Sequence, residues 1–397
     1  MNNTTLQRSI SVGATCVGFY LTCYLFRQLL SVFTPEMLTA GYTKTMIAAL
    51  SSGYMIAYAA GNLFNGFLGD RVKPKYMVSV GLLLAGIALC LVPVVKAQIL
   101  RLELFILLGF GLSMLRGPLT KTISENMPEK HARVACMCLT AASFFGPLLA
   151  GLLVILLSWQ AAFPVAGVLS LLSAVGGFLV FRRMERTGAI RPVPWEARGL
   201  RNIPAVFRLP GLPLKLLSDM MFEVVTIAVM FWAPTYMVEQ LRFSDSLAGM
   251  LYSEITLVTA LCPFLCIWCM KLFRDNVTGM MQGMSLLAAV LFAGMLALPG
   301  SVWSLVLFLL AMMAATVGCA AIWSVYLPSL GPTGLVSGAN GVFDCLGYAC
   351  SALANLLFAW VMQDFGWTGM IVTWAILCLL GAAIPLLGRI FDKPQKV

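Results

Sequence analysis

The sequence predicts an all-α integral membrane protein with twelve transmembrane helices in two pseudo-symmetric halves of six. Three observations carry this expectation. Of 397 residues, 60% are hydrophobic and only 11% are charged, whereas a soluble domain carries about a quarter charged residues. The apolar residues gather into runs long enough to cross a bilayer, which takes about 20 residues per helix. One long polar stretch, residues 183–212, divides those runs six and six. This composition excludes an ordinary soluble enzyme. It also excludes intrinsic disorder, which needs low hydrophobicity and high charge.

In chain order the expected spans are 10–33, 44–69, 75–95, 99–121, 133–157 and 160–182, then 213–238, 245–271, 277–298, 302–327, 335–362 and 367–391. None alternates in polarity as a barrel strand does. The first run is longer than a signal-peptide core and no small-residue cleavage site follows it, so it is read as a retained span. The two halves, 1–182 and 213–397, flank a basic cytoplasmic linker, 183–212, rich in Arg and Pro. A solvated segment beside anionic lipid accounts for that linker; binding of an anionic ligand is the other reading.

The net charge of +10 has a positional meaning. With the N-terminus in the cytoplasm, 20 of the 26 Lys and Arg fall on the cytoplasmic side, and Lys44, Lys96, Arg101 and Arg242 fall outside. Positive loops face the cytoplasm. Both termini are therefore expected there, in a multi-pass protein of the plasma (inner) membrane. The basic balance orients the chain in lipid, and no nucleic-acid partner follows from it. Only Arg27 and Arg116 remain within spans.

Residues spaced i, i+3, i+4 and i+7 share a helix face. Tyr20, Tyr24 and Arg27 do so in the first span, Tyr54, Tyr58, Asn62 and Asn65 in the second, and Ser113, Arg116 and Thr120 in the fourth. Asp219, Glu223 and Thr226 line the seventh, Glu254 stands in the eighth, and Asn340, Asp344, Tyr348, Ser351 and Asn355 line the eleventh. Unsatisfied polar groups at membrane depth cost several kcal/mol, so these stripes should turn inward. Arginine offers a planar fork of donors to phosphate or carboxylate oxygens. Arg27 and Arg116 are thus candidates for anion contact. The structural alternative is an ion pair, for Arg27 with Glu223 or Asp344 and for Arg116 with a neighbouring acid.

Glu223, Glu254 and Asp344 are candidates for proton coupling, because an unpaired carboxylate deep in a bilayer tends to protonate. Internal ion pairs are the competing reading. With every group ionised, the two arginines and three acids total −1, so a dianion would require an acid that is neutral or engaged elsewhere. Trp323 and Tyr326 could stack on a sugar ring or simply pack. Cys262, Cys266 and Cys269 share one span without a His or acidic partner, and the single histidine, His131, lies in a loop. No metal and no cofactor are expected. No Gly-x-Ser-x-Gly, His-Glu-x-x-His or phosphate-loop pattern occurs, so an enzyme is not expected either.

A weak internal repeat links the halves. Phe33-Thr34-Pro35-Glu36-Met37 ends the first span and Ala233-Pro234-Thr235-Tyr236-Met237 ends the seventh. Repeats of this kind imply a site between the halves and transport by rocking.

The segment Gly66-Phe67-Leu68-Gly69-Asp70-Arg71-Val72-Lys73-Pro74-Lys75 resembles the loop signature of the major facilitator superfamily, which implies that fold and a gating role for Asp70 and Arg71. Tyr24-Leu25-Phe26-Arg27 with Pro35, Trp232-Ala233-Pro234-Thr235-Tyr236, Lys271 to Asn276, Ser337 to Gly341 and Asp364-Phe365-Gly366-Trp367 are similar to the organophosphate:phosphate antiporters, of the glycerol-3-phosphate and hexose-phosphate permease type. The resemblance implies a phosphate-binding arginine at Arg27. It also implies a monomeric exchanger of a sugar phosphate or glycerol phosphate for inorganic phosphate. Two departures stand out. The second arginine of that family would fall at Thr226, and a second-span lysine would fall near Asn62. The candidate substrate-contacting set is therefore Arg27, Arg116, Tyr24, Tyr58, Asn62, Thr226, Asn340 and Tyr348. A proton-coupled carboxylate symporter and a non-transporting membrane sensor are the rival expectations.

Overall fold

The computed structural model describes residues 3–191, 203–209 and 211–391. Residues 192–202 and 210 of the expected basic linker, 183–212, lie outside the described residues. Among the described residues the secondary structure is helical, without strands. The first group of helices is α1 (Asn3–Thr39), α2 (Lys44–Gly69), α3 (Pro74–Leu91), α4 (Gln98–Leu112), α5 (Arg116–Asn126), α6 (Glu129–Leu156) and α7 (Trp159–Arg186). After the short α8 (Ile203–Phe207) come α9 (Leu212–Glu239), α10 (Asp245–Leu272), α11 (Val277–Met295) and α12 (Val302–Ala321). A π-helical turn (Ile322–Tyr326), α13 (Leu327–Ser329) and a 3-10 turn (Gly331–Thr333) then lead into α14 (Val336–Phe391).

Local chemistry sets these boundaries. Thr43, Ser244, Asn276 and Ser301 each cap a helix start with a side-chain oxygen, supplying an acceptor that the first turn lacks. Pro74 opens α3, where a missing amide proton costs nothing. The expected spans 335–362 and 367–391 meet at a sharp break in α14, where Gly366 has φ 58° and ψ −156°. That region is open essentially to glycine alone.

Eleven helices among the described residues are long and apolar enough to cross a membrane. The expected eleventh span is helical too, as the first part of α14. The expected single span 99–121 is two helices, α4 and α5, joined by a tight turn at residues 113–115. Pro118 explains the break, because its ring excludes the carbonyl of Met114 from an intrahelical bond.

By packing, the chain forms two compact units. One is Met1–Val206 with Leu327–Cys345; the other is Phe207–Tyr326 with Leu346–Val397. The segment Leu327–Cys345 thus belongs with the first unit. Two glycines explain how it packs: a Cβ on Gly66 would lie 2.8 Å from both Gly341 Cα and the Ser337 carbonyl oxygen. Only bare backbone lets α2 and α14 approach this closely.

Candidate functional site

The first unit gathers most of the candidate residues. On α1, helical spacing puts Tyr20, Tyr24 and Arg27 on one face, and the Tyr20 and Tyr24 rings meet edge to face at 5.0 Å. On α2, Tyr54 and Tyr58 stack at 5.8 Å. The Arg27 guanidinium lies 5.3 Å from the Tyr24 ring centre and 4.8 Å from that of Tyr58, within cation–π range. Its Nη1 also approaches the Tyr24 hydroxyl at 3.5 Å. Two aromatic faces therefore hold a half-buried arginine, whose Nη2 also lies 3.9 Å from Met55 Sδ.

Arg116 begins α5, directly after the α4–α5 turn, and its guanidinium lies 5.8 Å from the Tyr20 ring centre. Its Nη1 donates to Asp344 Oδ1 at 3.1 Å, with side-chain exposures of 9% and 4%. These values make it a sealed ion pair. The structure therefore realises the pair reading for Arg116, with Asp344 on α14 as its acid. Asp344 also interacts electrostatically with Arg27.

Asn62 and Asn340 stand one turn from Tyr58 and Asp344 respectively, and both are buried. Asn340 Nδ2 donates to the Val336 carbonyl at 2.8 Å. Its Oδ1, like Asn62 Nδ2, has no hydrogen-bond partner among the described residues. Asn65 Nδ2 donates to Ser113 Oγ at 2.7 Å, bracing the turn that precedes Arg116.

The loop residue Asp70 reaches the start of α14. Its Oδ1 accepts from the Ser337 amide at 2.9 Å and its Oδ2 from the Gly338 amide at 2.8 Å. Lys121 Nζ donates to the Asp70 carbonyl at 2.5 Å. Burial pushes the Asp70 carboxyl up to about 7, against the opposing pull of Lys121 and the two amides. Arg71 is half-buried beside it in the turn. Lys121 corrects the sequence reading. Counted there as a cytoplasmic loop cation, it is a buried residue of α5, placed where cations suit the carbonyl end of α2. Glu125, at i+4, also lies 3.9 Å from its Nζ, but Asp70 is distant in sequence, so spacing carries no signal of that contact.

The second unit holds the remaining candidates. Glu223 and Thr226 are half-buried on α9, and Asp219 is buried one turn earlier. Cys319 Sγ lies 3.9 Å from Glu223 Oε1, and Gly347, beside half-buried Tyr348, faces the Glu223 side chain. Trp323 and Tyr326 are buried in the π-helical turn, and Lys215 Nζ lies 4.7 Å from the Tyr326 ring centre.

Glu254 is exposed on α10, sharing a stripe with exposed Met250, Leu257 and Leu261 at helical spacing.

A helical membrane architecture with arginines and acids buried at helix faces defines a transport-type protein. The sequence profile of the Major Facilitator Superfamily matches residues 16–355, and the chain belongs to that family. It is 21% identical to the glycerol-3-phosphate transporter of Bacillus subtilis over 91% of this chain and 88% of that one. It is 26% identical to the membrane sensor protein UhpC of Salmonella typhimurium over 92% and 88% of the two chains. Among solved structures it resembles the transporter FucP in the outward conformation. The TM-score is 0.71 at 14% identity, covering 98% of this chain and 100% of that one. At that identity the likeness shows the fold.

Proposed function

We propose that this chain is a secondary active transporter of a small organic anion, best a glycerol phosphate or sugar phosphate, exchanged for inorganic phosphate by alternating access. The observation that carries this reading is the setting of Arg27. Its guanidinium is steadied by Tyr24 and Tyr58, next to the buried Arg116–Asp344 pair. An arginine so held presents donors in a fixed plane, which suits the oxygens of a phosphate. The similarity to a glycerol-3-phosphate transporter along most of both chains supports the same ligand class. In this reading the protein works as a monomer in the plasma (inner) membrane with both termini cytoplasmic, the side on which 20 of its 26 Lys and Arg are expected.

A second reading is proton-coupled symport of a carboxylate, and one observation favours it. Asp344 is a buried acid paired with Arg116, and an acid at membrane depth is a group suited to carrying a proton.

Thermal unfolding of the purified protein with glycerol-3-phosphate, inorganic phosphate and gluconate tests both, because a ligand of the folded form raises the midpoint. The phosphate reading expects stabilisation by the first two. Stabilisation by gluconate alone would replace it with the carboxylate reading. A ligand that binds without flux in liposomes would indicate a sensor.

A further inference from the structure

We propose that Tyr54 is a specificity-determining residue whose hydroxyl binds a hydroxyl group of the carried anion, so that the site takes a polyol phosphate in preference to an alkyl phosphate. The inference rests on the anion-transporter reading and deepens it, because Tyr54 lies outside the contact set expected from sequence.

Tyr54 is buried, and its Oη has no hydrogen-bond partner among the described residues. Proteins pair the large majority of their buried side-chain polar atoms, since an orphaned one bears a desolvation cost without return. A residue placed there only to pack gains nothing from a hydroxyl, because phenylalanine fills the same space. The orphaned oxygen therefore points to a partner that comes and goes.

The neighbours of Tyr54 say what that partner is. Tyr54 precedes Tyr58 by one helical turn on the same face of α2, about 5.4 Å along the axis. The two rings stack at 5.8 Å with their planes 16° apart, and the Arg27 guanidinium lies 4.8 Å from the Tyr58 ring centre. Tyr54 also interacts electrostatically with Arg27 and Tyr24. An anion anchored at Arg27 thus has Tyr58 beside its charged group and Tyr54 one turn further along. One turn is also the scale of the step from a phosphate to a hydroxyl on the next carbons of a polyol chain. Met55, the exposed residue next to Tyr54, lies with Sδ 3.9 Å from Arg27 Nη2. Its unbranched thioether is flexible enough to give way to a ligand there.

The hydroxyl is also held in place. Gly109 of α4 packs against the Tyr54 carbonyl, where a Cβ would run into backbone, so α2 is fixed against α4 at this residue. The stacked Tyr58 ring restricts the side chain in turn. A phenol can both donate and accept, which matches a hydroxyl, and a group already ordered loses little entropy on binding. A site built to bond a substrate hydroxyl rejects the analogue that lacks it, because its own buried polar group then stays unpaired.

Calorimetric titration of the purified full chain tests this with glycerol-3-phosphate and propyl phosphate, which share a phosphate and three carbons and differ in their hydroxyls. Inorganic phosphate is a second reference. In Tyr54→Phe the affinity for glycerol-3-phosphate should fall by about tenfold, while propyl phosphate and inorganic phosphate behave as in wild type. Unchanged affinity for glycerol-3-phosphate, or an equal loss for all three ligands, would overturn the proposal. The unfolding midpoint without ligand separates recognition from a structural role. It should be the same or higher in Tyr54→Phe, and a lower midpoint would mean that the hydroxyl is bonded within the fold and overturn the proposal. Gluconate and hexanoate repeat the comparison for a carboxylate. Binding of gluconate but of no phosphate compound sinks the organophosphate reading. Tyr54 then stands if Tyr54→Phe weakens gluconate alone, and falls if gluconate binds both proteins equally. Absence of heat with every probe, in a protein that unfolds cooperatively, overturns both.

Discussion

Asp70 caps the first turn of α14 from the far end of α2, with Oδ2 accepting from the Gly338 amide at 2.8 Å and Oδ1 from the Ser337 amide at 2.9 Å. A side chain 268 residues away in sequence thus supplies what a helix start needs from an N-cap, together with the negative charge that the helix dipole favours. In Asp70→Asn only one oxygen remains to accept, and one buried amide loses its partner. The expected cost is about 1–3 kcal/mol, read as a lower unfolding midpoint in detergent. An unchanged midpoint would show that this cap adds nothing to the fold.

The same carboxyl predicts a pH dependence. Burial raises it from its ordinary 3.8 to about 7, so the folded protein holds this proton more tightly than the unfolded chain. The corresponding stability is present in full below pH 3.8 and is lost as pH rises through 7. Between pH 5 and pH 8 the wild-type midpoint should therefore fall relative to that of Asp70→Asn. Parallel profiles for the two proteins would remove Asp70 as the source.

The Arg116–Asp344 pair predicts a non-additive mutant cycle. Arg116→Gln alone leaves Asp344 buried without its cation, and breaking such a pair costs about 3–5 kcal/mol. Replacing both residues together, as Arg116→Gln/Asp344→Asn, should recover much of that loss. Midpoints for the two single variants and the double variant give the coupling energy directly. A sum of independent losses would mean that the pair is not a unit.

Glycine packing gives a further check. A Cβ on Gly341 would run into the Asn62 carbonyl and Gly66 Cα, both of them backbone, whereas a Cβ on Gly18 meets nothing within 4 Å. Gly341→Ala should cost about 1–3 kcal/mol by overpacking. Gly18→Ala, in the middle of α1, should be neutral or stabilising by up to about 1 kcal/mol. Similar midpoints for the two variants would contradict the close approach of α2 and α14.

What could be read from sequence divides along physical lines. Apolar runs report membrane helices because the bilayer demands about 20 apolar residues per crossing, and periodicity reports faces, so the stripes through Arg27, Tyr58 and Asp344 were legible. The boundary between the last two spans was placed at 362–367, and the structure puts the break at Gly366 within it. Partner choice was not. Arg116 could have met any acid, and nothing local distinguishes Asp344 from Glu223. Asp70 to Gly338 and Lys121 to Asp70 join residues too far apart in sequence for spacing to relate them.

The internal repeat shows the same limit in a milder form. Glu36 Oε2 accepts from the Trp159 amide at 3.0 Å in the first unit, and Glu239 Oε2 accepts from Trp367 Nε1 at 2.8 Å in the second. Each unit thus has a Glu–Trp contact near its Pro motif, but Glu36 directly follows Pro35 whereas Glu239 stands five residues after Pro234, so the contacts are not equivalent positions of the repeat. Glu239→Ala should cost about 1–3 kcal/mol by leaving the Trp367 indole N–H without its acceptor, whereas Glu239→Gln should keep most of the stability. Unfolding midpoints for the two variants check this, and equal losses would indicate that the negative charge matters more than the hydrogen bond.

The central claim is that Arg27 anchors the anion that the protein carries. The most direct test is uptake of labelled glycerol-3-phosphate into phosphate-loaded liposomes containing wild type or Arg27→Ala. Losing hydrogen bonds to a charged group costs about 1.5–3 kcal/mol, so initial uptake below saturation should drop by roughly 10- to 100-fold in Arg27→Ala. Uptake in Arg27→Ala equal to that of wild type would contradict the account.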